Sequence, residues 1–147
     1  MTGSIQTTPT QVIKNMTSDA LQLTFVSSAG SEIKAGQEVY QHTDGTVKKR
    51  TLGTQIPLGI ALSDTPDGER VLVRVPHQMV IEGIAKGGAL NAGVAVVPDG
   101  TLNADGYPNY VAAGASAYVS AFTLKAAVED ARVRIGIIQG VYLTPGA

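Results

Sequence analysis

The chain has 147 residues, enough for one domain with a real core, and is 44% hydrophobic with no Trp, two Phe and five Tyr. Its formal charge of −1, from 11 basic and 12 acidic residues, argues against a nucleic-acid binder, whose phosphate contacts demand a basic face. The absence of cysteine excludes disulfides, thiol nucleophiles and thiolate metal sites.

Residues 1–18 are rich in Thr, Gln, Ser and Asn, with one apolar pair at Val12-Ile13. Such a stretch cannot bury enough surface to hold itself in place, and reads as a frayed terminus or as an arm that orders against a partner. Residues 19–147 read as the β-rich domain. Leu21-Gln22-Leu23-Thr24-Phe25-Val26 alternates as a strand. Glu38-Val39-Tyr40-Gln41 predicts a short strand, Asp44-Gly45 a tight turn, and residues 47–52 the outgoing strand, with Lys48-Lys49-Arg50 as a solvated patch. Residues 56–62 predict another strand, with Pro57 near its start. The turn Pro66-Asp67-Gly68-Glu69 leads into the clearest strand, where Val71, Val73 and Val75 face inward and Leu72 is left to meet a second layer or a partner.

Pro76 ends that strand, and Met79-Val80-Ile81 with Ile84 resumes the apolar pattern. Gly87-Gly88 suggests a bend between two units. The opening motifs then return in looser form: Ala35-Gly36-Gln37-Glu38-Val39 and Asp44-Gly45-Thr46-Val47 are echoed by Ala92-Gly93-Val94-Ala95-Val96 and Asp99-Gly100-Thr101-Leu102. The echo predicts two related hairpin units, each turning at Asp-Gly, with residues 103–109 as a polar loop or hairpin tip. Residues 115–122 could form a strand, residues 124–131 are the one candidate for a brief helix, and residues 133–139 and 141–143 supply closing strands. The expected fold is therefore all-β: a small antiparallel barrel or sandwich of short hairpins, with an extended N-terminal arm and at most one short helix.

Chemistry is hard to find in this pattern. His42 reads as an exposed hairpin residue and His77 as a structural or interface position, and neither has metal-ligand spacing. Asp44, Asp67, Asp99 and Asp105 all precede glycine, where Asp shapes turns. No phosphate-binding loop, nucleophile elbow or paired acid–base motif is present, so neither an enzyme nor a bound cofactor is expected. No apolar run approaches the roughly 20 residues that span a bilayer, and the first nine residues lack a secretory signal's basic and apolar segments. Charged residues make up only 16% of the chain, which is compatible with extensive burial in an assembly.

Four segments, Gly36-Gln37-Glu38-Val39, Asp44-Gly45-Thr46, Pro57-Leu58-Gly59-Ile60-Ala61-Leu62 and Gly68-Glu69-Arg70-Val71-Leu72-Val73, together resemble the tailed-bacteriophage capsid decoration, or cement, proteins. Residues 126–135 are similar to the corresponding closing element. The resemblance implies a structural virion protein made in the host cytoplasm and carried on the outer surface of the capsid. It implies the major capsid protein as partner, a homo-oligomer with a trimer favoured, and reinforcement of the head. Thr7, Thr8, Val12 and Ile13 are then the capsid-contact candidates, with Leu72 and Tyr107 as further interface candidates. The more elaborate second hairpin leaves open the base of a head fibre involved in host-surface attachment. A carbohydrate-binding β module is a further alternative, which would need Tyr107, Tyr110 and Tyr118 grouped as a platform.

Overall fold

A computed structural model of the protein describes residues 22–26, 32–75 and 79–146. Among the described residues there are ten strands in chain order: β1 Gln22–Val26, β2 Glu38–Gln41, β3 Val47–Lys49, β4 Gly59–Ala61, β5 Arg70–Arg74, β6 Met79–Ala85, β7 Ala95–Leu102, β8 Pro108–Ala112, β9 Tyr118–Thr123 and β10 Arg132–Leu143. The alternation in β5 does what it promises: Val71 and Val73 are fully buried, while Arg70 and Leu72 face out. The fold is all-β and antiparallel apart from one parallel pair, β6 with β8.

The strands form two sheets, one of order β1-β5-β4-β2-β3 and one a closed barrel of order β10-β6-β8-β7-β9. These are the same structure used twice. Matching β1 to β5 with β6 to β10 turns the first order into β6-β10-β9-β7-β8, which is the barrel read from a different starting strand. The registers agree residue for residue. Ile60 and Ala61 face Arg74 and Val73 in the first unit, as Phe122 and Thr123 face Gly136 and Ile135 in the second. The isolated bridge of Ile33 with Thr65 recurs as Leu90 with Ala127. Gly36 N–H donates to Ala61 O and Gly93 N–H to Thr123 O, both at 2.8 Å. Leu62 N–H donates to Leu72 O and Leu124 N–H to Arg134 O, both at 2.9 Å. In the second unit, β6 and β8 close the barrel through Ile84 opposite Asn109 and Ala85 opposite Tyr110. Each unit has its own apolar centre: Ile33, Val39, Val47, Ala61, Val71 and Val73 in the first, and a cluster around Val96, Tyr110, Val133 and Ile135 in the second.

Three expectations change. The duplication spans two five-stranded units, so Gly87-Gly88 lies inside the second unit, after β6, rather than between the units. Asp99-Gly100 does not turn the chain: β7 runs through it with a break in register between Pro98 and Leu102. The turn that repeats His42–Thr46 is Asn103–Tyr107. In the first, His42 N–H donates to Thr46 O at 2.8 Å and Gly45 N–H to His42 O at 3.0 Å; in the second, Asn103 N–H donates to Tyr107 O at 2.9 Å and Gly106 N–H to Asn103 O at 3.0 Å. Finally, residues 124–131 form no helix. Leu124 and Ala127 N–H groups bond Arg134 O and Leu90 O, and only a turn from Ala131 N–H to Val128 O at 3.1 Å is local. Backbone donors committed to distant strands leave no helical ladder.

Candidate functional site

The most constrained side chains lie where the two units meet. The backbone pairs Arg50 N–H with Glu38 O at 2.8 Å across the first hairpin. That register brings the Arg50 guanidinium onto the Glu38 carboxylate, Nη1 to Oε1 at 3.0 Å, with side-chain exposures of 0% and 2%. The guanidinium also donates to Gln55 O at 2.8 Å, to Gly53 O at 3.2 Å and, across the junction, to Tyr118 O on β9. From the second unit, the buried Tyr110 hydroxyl donates to Glu38 Oε2 at 2.9 Å. Glu38 thus accepts from both units, and Arg50 donates to both.

Burial pushes the Glu38 carboxyl above the usual carboxylate range, opposed by the Arg50 charge and by hydrogen bonds from Tyr110 and Arg50. Burial, reinforced by the Glu38 charge, drives the Tyr110 hydroxyl well above its usual value. Neither group is free to exchange protons with a substrate. Removing one member of such a pair would strand a buried charge, so the cluster ties the units together rather than doing chemistry. Among the described residues, no group of three or more His, Cys, Asp or Glu could hold a metal ion.

A second tie comes from the lengthened hairpin. Five residues separate Gln41 from Val47 in the first unit, whereas eleven separate the equivalent Pro98 from Tyr110. The added length carries Gly100 against the first unit. Gln37 Nε2 donates to Gly100 O at 3.1 Å, and a Cβ on Gly100 would overlap Thr51 Cγ2 and stand 3.1 Å from Thr51 Cβ. Tyr118 N–H adds a bond of 2.8 Å to Gly53 O.

Beside this junction lies an apolar groove of about 220 Å³, with Leu58, Ile60 and Val75 from the first unit and Ile137, Ile138 and Val141 from the second. Ile138 and Val141 sit where β10 breaks register against β9, between Ile137 and Tyr142. Both are exposed, at 41% and 42%.

Of the residues singled out in the sequence, Thr7, Thr8, Val12, Ile13 and His77 lie outside the described residues. Leu72 is exposed on β5. Tyr107, at the β7–β8 tip, is engaged within the chain: the Arg132 guanidinium lies 4.9 Å from its ring centroid and donates to its hydroxyl at 3.2 Å. Tyr110 is fully buried, so it cannot join Tyr107 and Tyr118 in a sugar-stacking platform. Arg50 was misread as part of a solvated patch. The usable signal was Glu38, which sits as far before Asp44, the middle of the His42–Thr46 turn, as Arg50 sits after it.

No family model matches the chain, and no curated protein matches it. Among solved structures, it is similar to the head fiber gp8.5 N base of bacteriophage phi29, with a TM-score of 0.52 and 20% identity over 83% of this chain and 98% of that one. Neither five-stranded unit alone supplies that much of the chain, so the likeness runs through both. The likeness corrects the reading as a decoration, cement or head-stabilisation protein, because the similar structure is a fibre base. The motifs behind that reading fall on strands and turns that serve the β framework itself. Gly59 and Ile60 are β4 and Arg70 to Val73 are β5, and alternating valines between glycine turns mark many β folds.

Proposed function

We propose that this chain is the base of a phage head fibre: a non-enzymatic virion-surface protein that anchors a projecting fibre used in host attachment. The observation behind this reading is that the likeness to the phi29 fibre base extends across both five-stranded units. The chain's own features suit such a role. A base must transmit pull from a long projection without coming apart, and here a buried ion pair of the first unit is bonded to Tyr118 O and the Tyr110 hydroxyl of the second, beside a docked hairpin. The charge-poor surface suits close packing against other virion proteins. On this reading the base is a homo-oligomer, a trimer, seated on the major capsid protein, and multivalent seating keeps a modest contact from being lost.

The test compares phage particles assembled with and without this protein. The expected result is loss of head projections and slower adsorption to host cells, with heads as resistant to heat and osmotic shock as before. Particles that keep their projections and adsorb normally would overturn the assignment.

A further inference from the structure

We infer that the groove beside the unit junction is the seat of this chain's own N-terminal segment, with Val12 and Ile13 as the inserted side chains. This inference does not depend on the fibre reading. The groove is apolar, and its rim residues Ile138 and Val141 leave aliphatic surface exposed at 41% and 42%. Such surface is stabilised when covered.

The direction of β1 points to what covers it. Gln22 lies opposite Arg74, and β1 runs antiparallel to β5. The direction of β1, continued past the Gln22–Arg74 pair, points to Val75, which is part of the groove wall. The nine steps from Gln22 back to Ile13 reach at most about 30 Å when extended, ample to cross a groove that begins next to the exit point. Residues 7–15 carry a single pair of branched aliphatic side chains, Val12-Ile13, among polar neighbours. A cavity of about 220 Å³ has room for that pair.

The chain has no native cysteine, so engineered pairs report proximity without background. Ile13→Cys with Val141→Cys, oxidised in dilute full-length protein, should give an intrachain disulfide seen as a faster-migrating monomer. Ile13→Cys with Val128→Cys, which uses an exposed site on the turn before β10, should give none. Removing residues 1–16 should speed amide exchange at positions 138–141 by about tenfold while leaving exchange at Val71 and Val73 unchanged. Covalent dimers from the first pair would assign the groove to a second copy and overturn the inference. So would equal cross-linking of both pairs, failure of the first pair to cross-link, or unchanged exchange after truncation.

Discussion

The two five-stranded units share a backbone skeleton but fill it differently. Glu38 and Arg50 of the first unit correspond to Ala95 and Ala113 of the second: Arg50 N–H bonds Glu38 O at 2.8 Å, and Ala113 N–H bonds Ala95 O at 2.9 Å. One hairpin carries a buried ion pair at this position, the other two methyl groups. Position 47 is Val where the second unit has Tyr110, the residue whose hydroxyl reaches back to Glu38. The contrast teaches that the hydrogen-bond ladder defines the unit, while the side chains at a few equivalent sites define how one unit holds the other.

Breaking the ion pair should have the largest effect. Arg50→Ala leaves Glu38 buried without its counter-charge and should cost about 3–5 kcal/mol in denaturant melts. Making the first hairpin resemble the second, with Glu38→Ala and Arg50→Ala together, should be less damaging than Arg50→Ala alone, because no charge is stranded. A double variant at least as unstable as the single one would mean that the carbonyls Arg50 serves matter more than its charge.

Next come the two Asp-Gly-Thr segments. Gly45 and Gly100 both have φ of +87°. Both segments bond alike: Asp44 Oδ1 accepts from Thr46 N–H at 3.0 Å, and Asp99 Oδ1 accepts from Thr101 N–H at 2.8 Å. The space around the glycines differs, since a Cβ at Gly45 meets nothing within 4 Å while one at Gly100 collides with Thr51. Gly100→Ala should therefore cost about 3 kcal/mol, combining left-handed strain with overpacking. Gly45→Ala should cost only about 1 kcal/mol. Equal losses would show that the lengthened hairpin does not press on the first unit.

Tyr110→Phe removes one donor from Glu38 and should cost about 1–2 kcal/mol, read from thermal melts. The smallest effect is local. Hydrogen bonds from the Thr46 hydroxyl and amide lower the Asp44 carboxyl to about 2. A depressed carboxylate stabilises the turn fully above its ordinary value near 3.8 and loses that contribution as pH falls through about 2. Amide exchange at Thr46 should accelerate over that window, and Asp44→Asn should remove the dependence.

The strands with strict alternation, β5 above all, and the first hairpin turn were legible because periodicity and Asp-Gly chemistry act locally. The repeat was legible too, but its register was not. Asp-Gly-Thr makes the same carboxylate-to-Thr bonds at a hairpin tip and inside a strand, so the motif reports local geometry and not its place in the fold. The candidate helix at 124–131 had suitable apolar spacing, yet its backbone donors are taken by Arg134 and Leu90, partners that no local pattern reveals. The junction was least legible. It depends on Tyr110, Tyr118 and Gly100 meeting residues of the other unit, and neighbouring lysines disguised Arg50 as surface.

One consequence follows from the parallel seam of β6 with β8. A barrel sealed in this way leaves no strand of the second unit at an open end of its sheet, although the seam itself pairs only two residues of each strand. Main-chain zippering of crowded copies is thereby disfavoured at the second unit, which shifts assembly there towards side chains, where selectivity can be written.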